Sequence, residues 1–371
     1  MLSRTATSLR TTSRAGRLVL RGLATSAPVY ENKRTPLYQL NVDRGAKMVP
    51  FAGYDMPLSY GDVGQVAAHN HVRTGAGLFD VSHMVQHIFS GPGAQAFLSS
   101  LTPTSLDKIA LNGSSLSVLL NDNGGIIDDL ILTKHAEDGS KWYTVTNAGR
   151  ADEDKAHFSA KLEAWNKEHP DQAVTWEILD GWGLVALQGP KAAEALSKLT
   201  DADLSALKFG QSMYAEIGKD KVRCHLARGG YTGEDGFEVS IPPESAVSIT
   251  EQILAVPDAG MCLYGHDLNE SISPIEGGLA WLVSKDRRTE GSFPGSSRIL
   301  AELKDGPSRR RVGFEVPGAP AREGAKVFDE AGNEIGNGQH KKGTPVQIEI
   351  RKKLRPASIR PMPFVPPKYY K

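Results

Sequence analysis

Ser115-Leu116-Ser117-Val118-Leu119-Leu120, Asn121-Asp122-Asn123-Gly124-Gly125 and Ile126-Ile127-Asp128-Asp129-Leu130-Ile131-Leu132 form the stretch on which the fold turns. Two apolar runs flank five residues that tolerate positive φ, and this pattern predicts a β-hairpin. Outward from it, Trp142 to Asn147 alternates like another strand. The next segment sets Phe158, Leu162 and Trp165 at helical spacing, with Asp152, Glu153 and Asp154 in its first turn, where the helix dipole favours acids. His169-Pro170 ends that helix. Val174 to Leu179 and Leu184 to Gln188 read as strands, and Gly189-Pro190 opens a helix with Ala192, Leu196 and Leu199 on one face. Val222 to Ala227 and Phe237 to Ile241 bracket a glycine-rich turn, followed by an apolar stripe of Ala246, Ile249, Ile253 and Val256. The pattern is α+β, without a dinucleotide fold.

After Arg288 the composition shifts to Gly, Pro and short strands, Arg311 to Val316, Ala325 to Asp329 and Pro345 to Arg351. This implies several units: a domain over 31–288, a linker over 289–306 and a small β-barrel over 307–371. Residues 1–27 differ in kind. Arg4, Arg10, Arg14, Arg17 and Arg21 lie among Ser and Thr, and the first acid is Glu31, which is the pattern of a mitochondrial presequence.

Lys plus Arg and Asp plus Glu both number 43, with no long block of one sign beyond the presequence, so nucleic acid and membrane surfaces are not the expected partners. No apolar run approaches the roughly 20 residues of a membrane helix. Cys224 and Cys262 are the only cysteines, too few for a disulfide framework or a thiolate metal cage, and both read as inert core thiols. His69, His71, His83 and His87 lack a completing carboxylate or cysteine and read as structural. Lys285, Arg287 and Arg288 read as a solvated charge run. No phosphate loop follows the glycine cluster Gly229 to Gly236, which is a turn for close backbone approach.

Several phrases together resemble the T-protein family of the glycine cleavage system. They are Thr35-Pro36-Leu37-Tyr38, Met48-Val49-Pro50-Phe51-Ala52-Gly53-Tyr54, Leu78-Phe79-Asp80-Val81-Ser82-His83-Met84 and Gly124-Gly125-Ile126-Ile127-Asp128-Asp129-Leu130. Further on come Gly230-Tyr231-Thr232-Gly233-Glu234-Asp235-Gly236-Phe237-Glu238, Gly260-Met261-Cys262-Leu263-Tyr264-Gly265, Arg309-Arg310-Arg311-Val312-Gly313 and Met362-Pro363-Phe364-Val365-Pro366. Each is short, but they run in family order over nearly the whole chain.

The resemblance implies an aminomethyltransferase. A lipoyl-bearing carrier, the H-protein, presents an aminomethyl group on sulfur, tetrahydrofolate takes the one-carbon unit as co-substrate, ammonia leaves, and methylenetetrahydrofolate is formed. No metal, flavin or nicotinamide is expected. Such chemistry needs a dry site and a fixed carboxylate near the folate nitrogens. Asp128 and Asp129 both offer one, and periodicity does not choose between them; the family pattern favours Asp129. By the same resemblance Glu238 is a pterin ligand, able to accept two parallel hydrogen bonds from an amino-pyrimidine edge. Tyr231 offers an aromatic face to the ring, and Tyr369 matches a folate contact.

The chain departs from the family twice. Between Leu254 and Gly260 the family carries a helix whose first arginine contacts folate; here only Ala255-Val256-Pro257-Asp258-Ala259 stands. Between Gly336 and Gln339 a strand-rich segment is missing, which leaves the expected barrel incomplete and its edges unpaired. The alternative reading is therefore a catalytically inactive isoform that still binds the carrier or folate. A flavin-linked folate oxidase has no room here, and the related iron–sulfur assembly factor would place Lys-Gly before the cysteine where this chain has Gly260-Met261 before Cys262.

Overall fold

The computed structural model describes residues 31–256, 259–261 (backbone only), 269–318, 321, 324–335, 343–362, 364 and 366–371. Residues 1–27, expected to be a presequence, Cys262 and the join at 336–339 lie outside the described residues. The chain begins with helix α1 (Tyr38–Asp43) and the hairpin β1 (Ala46–Phe51) and β2 (Tyr54–Tyr60). Helix α2 (Gln65–Thr74), strands β3 (Ala76–Asp80) and β4 (Val85–Ser90) and helix α3 (Ala94–Leu101) lead to the central hairpin β5 (Ser114–Leu120) and β6 (Ile126–Lys134). Strand β7 (Lys141–Thr146), helix α4 (Ala151–Glu168), strands β8 (Thr175–Ile178) and β9 (Gly183–Gln188) and helix α5 (Ala192–Ser197) follow. Then come β10 (Gln211–Ile217), β11 (Val222–Arg228), β12 (Gly236–Ile241), α6 (Ala246–Leu254), β13 (Ala259–Met261), α7 (Arg287–Glu290) and α8 (Ser296–Asp305). The last strands are β14 (Gly313–Glu315), β15 (Val327–Phe328), β16 (Pro345–Ile350) and β17 (Lys353–Arg360).

Two large sheets position the site. One has six strands in the order β10-β11-β12-β9-β3-β13, the other five in the order β5-β6-β7-β4-β8. Because strand side chains alternate, each sheet presents two faces. On the six-stranded sheet Leu78, Leu187, Leu226, Phe237 and Val239 point to a core closed by α5 and α6. On the five-stranded sheet Phe89, Leu119, Leu130 and Trp142 point to a second core, which α3 and Phe158 of α4 complete. The helices thus cover the outer faces, and the inner faces meet each other. Tyr143 and Val145 of one sheet pack on Leu184 of the other, and Gln86 of β4 accepts hydrogen bonds from Tyr143 Oη (2.8 Å) and from Ser240 Oγ of β12.

The central hairpin forms as its residues dictate. Asn121 Oδ1 accepts from the backbone N–H groups of Asn123 (3.0 Å) and Gly125 (2.9 Å), and Gly124 takes the positive φ of 74°. Its tip docks so closely that a Cβ on Gly295 would lie 1.9 Å from Gly124 Cα. That contact corrects the expected linker over 289–306: it holds helix α8, whose Ile299 is fully buried beside Val118 and Leu120 of the hairpin. The charge run at 285–288 is likewise corrected. Arg287 Nη2 donates to the carbonyls of Ser99 (2.6 Å) and Thr102 (3.1 Å), and Arg288 donates to those of Val283 and Ala280, so both guanidiniums tie backbone together.

The described C-terminal residues form a four-stranded antiparallel sheet, β14-β17-β16-β15, over a small core of Val346, Ile348, Ile350 and Ala357. Residues Lys33–Lys371 make one compact unit. Cys224 is buried, and burial pushes its thiol up to about 12.

Candidate active site

The inner faces hold two of the three carboxylates that the sequence singles out, Asp129 and Glu238. Asp129 lies on β6 opposite Val118, half-buried on the same face as Ile131 and its partner Val145. The pairing of β6 with β7 begins only at Leu130, so Asp129 stands where the ladder opens. Asp128 points the other way, buried against α4. Its Oδ2 accepts the backbone N–H of Asn147 (2.8 Å) and its Oδ1 accepts Asn147 Nδ2 (2.9 Å). The same Nδ2 reaches Asp129 Oδ1 at 3.1 Å and the Asp129 carbonyl at 3.2 Å. The two aspartates therefore divide the work by face: Asp128 is consumed in holding Asn147, and Asp129 is the one presented to the intersheet space. Burial raises the Asp129 carboxyl above the ordinary range, with the Asn147 hydrogen bond acting in the opposite sense.

Glu238 lies on β12, facing the inner side with Ser240. Its cross-strand partners are Ala186 on β9 and Ala227 on β11. Two methyl groups flanking a glutamate leave a low floor around the carboxylate, room that larger residues would fill. Glu238 has no hydrogen bond or ion pair with any described residue, and burial alone raises its carboxyl. A half-buried carboxylate without a protein partner is costly unless a ligand completes it.

Beside it, Tyr143 and His225 approach with ring centroids 4.4 Å apart, and His135 lies 4.9 Å from His225. Burial lowers His225 to about 3 and His135 to about 4, so both imidazoles are neutral and form a wall without charge.

Tyr231 and Tyr369 stand elsewhere. Tyr231 is 69% exposed on the turn before β12. That turn needs its glycine: a Cβ on Gly230, whose φ is 149°, would lie 2.1 Å from Gln188 Oε1. Glu234 in the same turn is buried and pairs with Arg73 (3.0 Å) and Lys368 (3.1 Å). Tyr369 stacks on Phe209 at 3.9 Å and 16°, so its tail is anchored. Lys368 N–H donates to the Gly233 carbonyl (2.7 Å), which brings the tail to the glycine-rich turn.

Gln86, Tyr143 and Asn147 are not among the residues the sequence marks, because only the facing of two sheets reveals them. Asp154, read as an acid at a helix start, is fully buried. A signal for it exists in the sequence, since it precedes the core residue Phe158 by four positions and so shares its helix face.

The model for the GCVT N-terminal domain matches residues 37–287. A probable mitochondrial aminomethyltransferase of Schizosaccharomyces pombe is 43% identical over 390 positions, spanning 95% of this chain and 98% of that protein. The mitochondrial aminomethyltransferase of Saccharomyces cerevisiae is 41% identical over 389 positions, spanning 91% and 96%. Both alignments are longer than this chain of 371 residues, so the relatives carry segments without counterpart here. Among solved structures, the glycine cleavage system aminomethyltransferase T from Bartonella henselae superposes with a TM-score of 0.81 at 34% identity, covering 92% of this chain and all of that one.

Proposed function

This chain belongs to the GCVT family of aminomethyltransferases, and from that premise we propose the transfer that its two inner-face carboxylates support. It is an aminomethyltransferase of the glycine cleavage system, working in mitochondria as its relatives' names and its basic leader agree. Its one-carbon acceptor is tetrahydrofolate and its donor is the aminomethylated lipoyl arm of the H-protein. The relatives are named as the enzyme and lend no support to the inactive alternative.

The observation that carries the reading is Glu238, a half-buried carboxylate above an alanine floor with no partner among the described residues. A pterin fits it: a flat ring needs the clearance of Ala186 and Ala227, and its amino-pyrimidine edge offers the two N–H donors that a carboxylate accepts side by side. Asp129 on the facing sheet orients the folate nitrogens and exchanges a proton with the departing amine, its raised affinity for protons suiting it to both directions. The two facing sheets keep water from the methylene carbon, which water would release as formaldehyde. Tyr231 and Tyr369 are assigned to the folate's outer part, brought together by the tail's bond to the glycine-rich turn. The domain boundaries 31–288 and 307–371 are proposed with this site in the first.

The test is titration of the chain from residue 28 with tetrahydrofolate in a calorimeter, followed by single-turnover transfer from aminomethylated H-protein. Binding that Glu238→Gln weakens, with methylenetetrahydrofolate formed, is the expected result. Transfer to folate unaffected by either Glu238→Gln or Asp129→Asn overturns the assignment.

A further inference from the structure

A chain of hydrogen-bonding groups runs behind Asp129 on the helix-covered face. Trp176 Nε1–H donates to His87 Nδ1 at 3.1 Å. An indole nitrogen only donates, so Nδ1 is the bare nitrogen of His87 and Nε2 carries the hydrogen. His87 Nε2–H then donates to Thr146 Oγ1 at 3.1 Å, which leaves the Thr146 hydroxyl proton to point onward. Burial lowers His87 to about 3, so the ring is neutral as this arrangement requires.

Beyond Thr146 lies Asp154, fully buried on α4. Neither of its oxygens finds a donor in ordinary hydrogen-bond geometry. Its polar neighbours are the Thr146 hydroxyl and the Asp128 carboxyl, and the adjoining Asp128 already accepts from the backbone N–H and from Nδ2 of Asn147. Two buried carboxylates in hydrogen-bonding contact cannot both be charged, and only Asp154 lacks donors of its own. The proton therefore belongs on Asp154, shared toward Asp128. Burial and the Asp128 charge both drive Asp154 to hold it, while Thr146 and Arg150 oppose.

We propose that Asp154 is a positioning residue of the transfer site, the acid of an acid–carboxylate pair with Asp128 that fixes Asn147 and, through Asn147 Nδ2, the Asp129 carboxylate. With the proton in place Asp128 is saturated: Asn147 gives it two hydrogen bonds and Asp154 the third. The Asn147 amide is then locked in the one orientation that also meets Asp129. Without it Asp128 is an anion short of a donor, and Asn147 turns to compensate. The proposal rests on the aminomethyltransferase reading for its consequence in turnover, but not for the proton pair itself.

Difference infrared spectroscopy on the full chain at neutral pH, with carboxyl-labelled aspartate, tests the pair independently of activity. A free-acid carbonyl band in the wild type that disappears in Asp154→Asn is expected; absence of that band in the wild type overturns the proposal. In the transfer assay Asp154→Asn, still a neutral donor to Asp128, retains kcat within a few-fold. Asp154→Leu, with no donor, loses kcat by about 100-fold, the cost of a misplaced reacting group, with KM for tetrahydrofolate changed little. A leucine variant that melts lower but turns over at the wild-type kcat makes Asp154 merely structural and sinks the positioning role. Inactive wild-type protein with the band present would count against the aminomethyltransferase reading alone.

Discussion

On its outer face the five-stranded sheet sets Phe89, Leu119, Leu130 and Trp142 against α3 and α4, and on its inner face it carries Gln86, Tyr143 and Asp129, with Gln86 meeting Ser240 of the other sheet. The first face is dry and interlocked, and its acidic pair, Asp128 with Asp154, is enclosed between β6 and α4, where burial raises both carboxyls. The second face keeps two half-buried carboxylates, of which Asp129 meets Asn147 and Glu238 meets no described residue. One strand supplies both faces, and the adjacent residues Asp128 and Asp129 fall on opposite sides of it. Substitutions in the apolar part of the outer face should therefore show in stability and inner ones in turnover, with Asp154 and Asp128 the place where the outer face reaches the chemistry through Asn147.

The largest effect expected is in turnover. Asp129→Asn removes the ionisable group and should lower kcat by about 10²–10⁴-fold, while the melting temperature holds or rises, since a costly half-buried carboxylate is gone. Steady-state transfer and thermal melting on the same preparation decide it, and a kcat within tenfold of the wild type would break the division.

Phe158→Ala is the outer counterpart. Phe158 is fully buried, 5.1 Å from the Phe89 ring and 5.4 Å from that of His87. Its loss should cost about 3–5 kcal/mol of stability, read by urea denaturation, while folded enzyme keeps its KM for tetrahydrofolate. A changed KM with little loss of stability would show that the faces are coupled.

Much of the outer architecture is legible in the sequence because alternation and helical spacing record burial directly. The hairpin at Asn121 to Gly125, the strand at Trp142 and the stripe from Ala246 to Val256 stand close to where the residues place them. Helix α8 is not read, although Ile299 and Leu303 share a face, because Pro294, Gly295 and Gly306 dominate the local composition. The hairpin of β1 and β2 goes unread because its turn uses Ala52 at a φ of 49°, a conformation that alanine seldom takes. Asp129 and Glu238 come from family resemblance; periodicity alone left Asp128 and Asp129 equal. What distinguishes them is which face α4 covers, a fact of tertiary packing that no single strand encodes.

Glu238→Gln sharpens the inner side. An amide presents one acceptor where the carboxylate offers two, and a hydrogen bond to a charged group is worth about 1.5–3 kcal/mol. Tetrahydrofolate should bind about 10- to 100-fold more weakly by calorimetry, with stability unchanged or improved. Undiminished affinity would leave the alanine floor without an explanation in ligand binding.

The smallest effect concerns the tail, which belongs to neither face. Lys368 pairs with buried Glu234, but Arg73 also pairs with that carboxylate at 3.0 Å, so losing one cation does not strand the charge. The Lys368 backbone bond to Gly233 survives any side-chain change. Lys368→Met should therefore cost only about 0.2–1 kcal/mol, in the range of an exposed ion pair. Because the tail also seats Tyr369 against Phe209, a loosened tail should raise the KM for tetrahydrofolate a few-fold and leave kcat unchanged. A drop in kcat as large as that of Asp129→Asn would mean that the tail enters the chemistry itself, and the separation between the inner face and its surroundings would have to be redrawn.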